Sequence, residues 1–270
     1  MTTNEAAIST ALDGVESTAQ RSSTFYFSMA LIFAAIAFTG FAPTYLVPLA
    51  ANRFEAPALV HIHGMLFFAW TLLLVLQTRL VGRGRTDLHR ALGLGGISLA
   101  TAMVFTGVTL VVHHLSELTA AGQAASARAG AIVAMTQISM FAAFFAVAIA
   151  NLRRPEIHKR AMMLATVNLM NAAAGRLVLA LEAMTAGMSI ADFRLRANAG
   201  QVLVAGVGGA LVVDLLIVVA MAYDWRSRGR PHRLYVIGGA CVLAVQVLRI
   251  PLAQTALGRS LSGLLLALAL

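Results

Sequence analysis

The sequence contains few charged residues. Only 11% of its 270 residues are Asp, Glu, Lys or Arg, whereas 59% are hydrophobic, and the mean hydropathy is +0.82. A soluble domain carries about 25% charged residues. Because so few charges cannot cover a surface that faces water, we expect lipid to surround most of the chain.

Cysteine is almost absent, and so are the common catalytic motifs. The single Cys241 lies in an apolar run, which excludes a disulfide within the chain and metal clusters built on several thiolates. There is no Walker loop, dinucleotide fingerprint, nucleophile elbow or H-E-x-x-H motif. No predicted span contains a lysine, which excludes a retinal Schiff base. Residues 1–20 are polar and do not form a signal-peptide pattern.

The net charge of +9 does not indicate a nucleic-acid partner. The arginines lie in short segments between apolar runs rather than along one soluble face, so we expect no nucleic-acid binding. The partner that the sequence predicts is the lipid bilayer.

Seven runs are long and apolar enough to cross a bilayer, which takes about 20 residues. The sequence therefore predicts an all-α, polytopic membrane helix bundle. Residues 1–23 form a polar cytoplasmic segment, 24–257 the bundle and 258–270 a short apolar tail at the interface. Pro43 and Pro48 are expected to end or kink the first helix. The predicted spans are 24–48, 59–79, 91–113, 129–150, 161–184, 202–222 and 234–255.

The connecting segments differ in positive charge, which predicts the orientation of the chain in the membrane. One set holds Arg79, Arg83, Arg85, Arg90, Arg153, Arg154, Lys159, Arg160, Arg226, Arg228, Arg230 and Arg233. The other set holds only Arg53, Arg128, Arg194 and Arg196. Because positive loops stay in the cytoplasm, we expect a cytoplasmic N-terminus.

A short motif occurs twice at this basic side. Asp87-Leu88-His89-Arg90 opens the third helix, and Glu156-Ile157-His158-Lys159-Arg160 opens the fifth. Each has an acid, an aliphatic residue, a histidine and basic residues. Helices 2–3 and 4–5 are therefore predicted to be repeated hairpins about an axis along the membrane normal.

His89 and His158 are candidate haem ligands. Both fall in the first turn of a helix, where the positive helix terminus favours a neutral imidazole that can bind metal. Small residues that follow His89 let a flat ring or another helix approach: Gly93, Gly96, Ala100 and Gly107. Arg90, Lys159 and Arg160 lie where propionates would be. One b-type haem between the two histidines fits this pattern; the alternative is that these residues anchor helices to lipid phosphates and pack helices.

A second group of histidines is predicted at the outer face. His63 begins helix 2, facing inward with Phe67, Trp70 and Gln77, while His113 and His114 end helix 3 near Glu117. Imidazoles beside a carboxylate suit zinc, copper or iron. This group indicates a metal-handling or assembly factor, or simply histidines near lipid headgroups.

Polar and charged residues inside the last three spans form a third group. Charges at such depth are costly and usually face a partner or a cavity. They predict either a ligand pocket of a small-molecule carrier or sensor for an amphiphile, or a network that fixes helix packing. Asp214 lies about two turns from Arg176 in depth, so a direct pair is not expected. The group consists of Asn168, Asn171, Arg176, Glu182, Asp214 and Arg249.

Several motifs resemble a group of bacterial multi-pass inner-membrane proteins that have no assigned activity. The resemblance covers residues 58–180 and includes His61-Ile62-His63-Gly64, Trp70, Gln77, Gly82-Arg83, Leu88-His89-Arg90, Leu92-Gly93, Ile157-His158-Lys159-Arg160 and Met163. It implies location in the bacterial inner membrane. The histidines at helix ends are also distantly similar to b-type membrane cytochromes. If the chain is a redox protein with one haem, we expect it to exchange electrons with a quinone near the outer polar pocket. Helix 4 has no histidine, so a second haem is not expected.

Overall fold

The structure is a computed structural model that describes residues 3–190, 192 and 199–268, with side chains from 20 to 190, at 192 and from 204 to 268. Within these residues the chain is helical and has no strand. Arg194 and Arg196 lie outside the described residues. The helices are α1 (Thr3–Phe41), α2 (Ala58–Gly82), α3 (Thr86–Ala120), α4 (Ala124–Ala150), α5 (Pro155–Thr185), α6 (Ala199–Arg228), α7 (Arg233–Gln254) and α8 (Ala256–Ala267).

Seven of these helices, α1 to α7, are long and apolar enough to cross a membrane, which confirms the predicted fold class. The crossing part of α1 is Gln20–Ala50, where a π-helical turn at Ala42–Leu46 leads into a last turn at Val47–Ala50. This change of winding coincides with Pro43 and Pro48, because proline disrupts regular helical hydrogen bonding. α8 has 12 residues, so at 1.5 Å per residue it spans about 18 Å and is too short to cross.

The first five helices form a closed ring. α1 packs against α2, α2 against α3, α3 against α4, α4 against α5, and α5 returns to α1. A buried cluster takes side chains from all five helices, among them Phe33, Trp70, Met103, Phe141 and Val167. Trp70 donates from its indole nitrogen to the Thr166 hydroxyl at 3.2 Å, which satisfies the polar atom of this apolar core.

The remaining helices pack on the outside of the ring. α6 packs along α5, α7 contacts α4, α5 and α6, and α8 lies against α3, α4 and α7. The contact of α6 with α5 depends on glycine: a Cβ atom at Gly209 would lie 2.6 Å from the Asn171 carbonyl oxygen. The two helix backbones therefore approach more closely than any side chain allows.

The three short connections 83–85, 151–154 and 229–232 lie at one end of the bundle, here called the basic end. His89 contacts His158 across this end, and Arg228 pairs with Glu156. The other end, where α2 begins and α3 finishes, is called the opposite end. The hairpins α2–α3 and α4–α5 are both antiparallel and in contact; that they are symmetry-related repeats stays a prediction.

Candidate functional site

His89 and His158 come together at the basic end of the five-helix ring. Their ring centres are 6.3 Å apart and their ring planes stand at 87°. His89 lies in the first turn of α3 and His158 in the first turn of α5, and both are partly buried. Two residues that are 69 positions apart in sequence are thus in contact, and their proximity is what the predicted haem between His89 and His158 requires.

The backbone of the preceding helix lies beside each imidazole, but only His158 makes a hydrogen bond to it. His158 Nδ1 lies 2.9 Å from the carbonyl oxygen of Ala148, in the last turn of α4. A carbonyl oxygen only accepts, so Nδ1 carries the hydrogen and Nε2 keeps a lone pair that can bind a metal. His89 in turn faces the backbone of Gln77 in α2, although its buried Nδ1 does not reach a full hydrogen bond. Only His158 is therefore fixed by a hydrogen bond to the preceding helix.

The distance between the two ring centres can be compared with that of a metal-bound pair. Two imidazoles that held one ion between them, at about 2.0 Å per bond, would have ring centres roughly 6 Å apart, and the observed separation is 6.3 Å. Among the described residues, no third His, Cys, Asp or Glu joins the pair. Two protein ligands are too few for a closed zinc site, whereas they complete the coordination of a haem iron.

The small residues along α3 have two different surroundings. A Cβ atom at Gly96 would lie 3.2 Å from Leu73, and one at Gly107 would lie 3.0 Å from Ile138, so these two glycines serve helix packing. A Cβ atom at Gly93, one turn from His89, would have only the Gln77 amide nitrogen nearby, at 4.0 Å. Gly93 is therefore not needed for close helix packing, in contrast to Gly96 and Gly107.

The three cations expected near the propionates differ in their contacts. Arg90 is exposed. Lys159 pairs with Glu156 at 2.6 Å and donates to the Ser22 hydroxyl at 3.1 Å. Arg160 is only 1% exposed and makes two hydrogen bonds, of 2.8 and 2.5 Å, to the carboxylate of Asp224. Lys159 and Arg160 are therefore paired with carboxylates of this chain. Of the three cations, Arg90 is the one that can pair with a bound anionic group.

A buried ionic cluster lies next to the histidine pair and was not predicted. Asp224 of α6 is fully buried, and besides Arg160 it accepts a hydrogen bond of 3.1 Å from the backbone nitrogen of His232. Glu156 pairs with Lys159, Arg160 and Arg228. The sequence does contain a signal for the pair of Asp224 and Arg160, because both residues lie at a similar depth from the basic end. Asp224 is five residues before the connection at 229–232, and Arg160 is five residues after Pro155.

His232 borders this cluster outside the membrane-spanning helices. Burial, together with the positive charges of Arg160 and Arg228, lowers the pKa of His232 below its usual 6.5. Its Nδ1 accepts a hydrogen bond of 3.1 Å from the backbone nitrogen of Leu234 and so caps α7. Because only the neutral imidazole can accept this bond, the depressed pKa keeps the cap intact at neutral pH.

His63 faces the interior near the opposite end of the ring. Its ring centre lies 4.3 Å from that of Phe67, and its Cε1 atom would be 3.9 Å from a Cβ atom at Gly107. Arg176 of α5 lies within electrostatic range of His63. The Arg176 guanidinium is 4.4 Å from the centre of the Phe41 ring and donates to the Ala172 carbonyl at 2.9 Å. The inward orientation predicted for His63 is thus observed.

The predicted outer metal site is not assembled in the part of the chain that the structure describes. His113 lies 3.3 Å and His114 3.6 Å from the carboxylate of Glu117, but these residues and His63 do not come together as three metal ligands. The neighbouring His61 instead lies 3.1 Å from the hydroxyl of Tyr45. The contact of Tyr45 with His61 joins the first two helices, whereas the histidine–glutamate contacts lie within α3.

The six polar residues predicted inside the spans contact different neighbours. Asn168 donates to the carbonyl of Gln137 in α4 at 2.8 Å. Asp214 of α6 interacts with Gln246 and Arg249 of α7, and so finds a partner other than Arg176, as expected from its depth. Asn171 and Glu182 each have one buried polar atom without a hydrogen bond within the described residues. Most of this set therefore belongs to separate helix contacts.

Comparison of the chain with protein-family models, curated protein sequences and solved structures finds no match. The functional argument therefore depends on the geometry of the site.

Proposed function

We propose that this integral membrane protein is a redox protein that binds one b-type haem between His89 and His158. The observation that carries the proposal is the contact between the two histidines. Their imidazoles come from two helices that are not consecutive in the chain, and their ring centres are 6.3 Å apart. Such a pair matches the two axial ligands of a b-type haem. The alternative, that the two histidines only anchor helices to lipid, gives no reason for them to face each other.

The residues of the chain have distinct tasks in this proposal. His158 is oriented by its hydrogen bond to the Ala148 carbonyl, and His89 lies near the backbone of Gln77. Arg90 is exposed beside His89 and is the cation available to a propionate. When bound, the haem supplies reversible one-electron transfer. We further propose a quinone in the bilayer as the electron partner, and a bacterial inner membrane with the basic end in the cytoplasm.

Absorption spectroscopy tests the haem proposal. The protein is expressed with excess haem precursor and purified in detergent; we expect a Soret band and about one haem per chain. His89→Ala and His158→Ala should each lose the wild-type band, because the iron would lose one of its two histidines and the haem would either dissociate or absorb at a shifted wavelength. His114→Ala, which removes an exposed histidine at the opposite end, is the matched control and should keep it. A wild-type protein without a Soret band under these conditions contradicts the proposal.

A second substitution separates ligation from a structural role. His158→Met replaces the nitrogen ligand by a thioether, which in haem proteins raises the reduction potential. We expect a bound haem with a higher potential, measured by redox titration. Spectra and potential that equal those of the wild type would show that His158 is not an iron ligand.

The opposite end supports a second candidate, a carrier or sensor of an anionic amphiphile. Arg176 is partly buried and lies within electrostatic range of His63, and a guanidinium can bind a carboxylate or phosphate through two parallel hydrogen bonds. A thermal-shift screen of anionic amphiphiles tests it. A stabilising compound whose effect disappears in Arg176→Gln supports this function, and compounds that act equally on both proteins contradict it.

A further inference from the structure

An apolar groove of about 320 Å³ lies between α4, α7 and α8, outside the five-helix ring. Its volume is at the lower end of the range of small-ligand pockets, about 300–1,000 Å³. The hydroxyl of Thr136, one of its few polar groups, donates to the Val133 carbonyl and is satisfied. The lining residues are Ile132, Met135, Thr136, Ser139, Met140, Val245, Leu252, Leu261, Leu264 and Leu265.

The groove forms because the chain changes direction between α7 and α8. Thr255 is extended, with φ −76° and ψ 166°, which ends α7, and its hydroxyl accepts a hydrogen bond of 3.1 Å from the Gly258 nitrogen to start α8. Leu265 and Leu266 of α8 then pack against a buried cluster that includes Val111 and Leu115. α8 is thereby held against the bundle and forms one wall of the groove.

The groove runs along the hydrocarbon region of the membrane. On α4 its lining extends from Ile132 to Met140, eight residues or about 12 Å at 1.5 Å per residue. A hydrocarbon core is about 30 Å thick, so the groove reaches from the opposite end toward the middle of the bilayer. A narrow apolar space at this depth and along this direction fits one hydrocarbon chain.

Two arginines lie at the mouth of the groove. Arg128 is one turn before Ile132 on the same face of α4, and its Nε donates to the Ala253 carbonyl at 2.9 Å. Arg259 in the first turn of α8 donates from Nη1 to the Gln254 carbonyl at 2.9 Å. Neither pairs with a carboxylate among the described residues. A guanidinium has five N–H donors, so both can also donate to an anion.

We infer that this groove binds one phospholipid, with an acyl chain between α4, α7 and α8 and the phosphate beside Arg128 and Arg259. The apolar lining accommodates the chain, and the two cations at the membrane surface complement the phosphate. The site shares no residue with the histidine pair, so this inference is independent of the haem proposal.

Native mass spectrometry of the delipidated protein in detergent tests the inference. The probes are dioleoylphosphatidylglycerol and dioleoylglycerol, which have the same acyl chains but differ in that only the first has the anionic phosphoglycerol head group. We expect one phosphatidylglycerol per chain, bound roughly tenfold more tightly than dioleoylglycerol because charge-assisted hydrogen bonds are lost in the latter. Ser139→Trp fills the groove and should abolish tight binding. Its control is Ser98→Trp on the exposed face of α3, which should bind like the wild type.

The head-group contact is tested separately with Arg259→Gln, which should reduce the preference for phosphatidylglycerol over dioleoylglycerol. Arg226→Gln, an exposed arginine at the basic end, is the matched control and should leave it unchanged. Unchanged binding in Ser139→Trp overturns the acyl-chain site. Equal affinity of the wild type for the two probes overturns the phosphate contact.

Discussion

At the scale of single residues, the pair of Arg160 and Asp224 is the most deeply buried charged feature of the basic end. Arg160 is 1% and Asp224 0% exposed, and two hydrogen bonds of 2.8 and 2.5 Å join them. Arg160 also lies 5.7 Å from the centre of the Tyr235 ring. The pair links α5 to α6, and the hydrogen bond from His232 to Asp224 extends the link to α7.

Removal of one member should destabilise the protein strongly. Asp224→Ala leaves the Arg160 charge buried without its main partner, which costs roughly 3–5 kcal/mol of the free energy of unfolding in comparable buried pairs. Denaturation of the detergent-solubilised protein with increasing SDS measures the loss. Arg226→Gln, on an exposed face of the same helix end, should have almost no effect. The double variant Arg160→Met, Asp224→Leu should recover part of the stability, since no buried charge remains; a double variant as unstable as the single one would contradict this account.

The sequence predicted correctly that His89 and His158 lie in the first turns of their helices. It did not predict which residues Lys159 and Arg160 contact. A histidine in the first turn of a helix is recognisable from local start signals alone. The partners of Lys159 and Arg160 depend instead on how α5 is rotated toward α1 and α6, and one residue changes the direction of a side chain by about 100°. These two residues were therefore predicted to face a cofactor, whereas Arg160 points to Asp224.

At the scale of helices, glycine controls the contact between α5 and α6. In Gly209→Ala the new Cβ atom would lie 2.6 Å from the Asn171 carbonyl oxygen, so the backbones must separate, at a cost of about 1–3 kcal/mol. Gly206→Ala in the same helix meets no atom within 4 Å and should be neutral or slightly stabilising, because alanine favours helix. Thermal unfolding in detergent compares the two variants. Equal melting temperatures would show that the close approach is not needed for stability.

Helix number followed from hydropathy, but helix ends and packing order did not. The third span was predicted at 91–113, with the helix opening at the Asp87–Arg90 motif. α3 runs over Thr86–Ala120, so its beginning agrees with that motif, whereas its end lies further on because polar turns continue the helix beyond the apolar stretch. Short connections predict which consecutive helices are antiparallel neighbours. The contact of α1 with α5 has no such local signal, since it depends on close approach at Gly40 and Ala173.

At the scale of the whole molecule, the distribution of arginines predicts the orientation in the membrane. In a Cys241→Ala background, Arg85→Cys places a thiol at the basic end and Gln123→Cys one at the opposite end; both positions are exposed. With the basic end in the cytoplasm, a membrane-impermeant maleimide should label intact cells of the Gln123→Cys variant only. Both variants should be labelled after the membrane is permeabilised. Labelling of Arg85→Cys in intact cells would reverse the orientation.

Closure of the ring by α1 and α5 has a consequence for biosynthesis. Helices leave the ribosome in order, so α1 enters the membrane well before its ring neighbour α5 has been translated, and the hydrogen bond from Lys159 to Ser22 forms only afterwards. Until then the buried face of α1, with Met29 and Phe33, can contact only lipid, the insertion machinery or α2 to α4. Nascent chains arrested after α4 should therefore be degraded faster than chains arrested after α5, in which the ring can already close without α6 and α7.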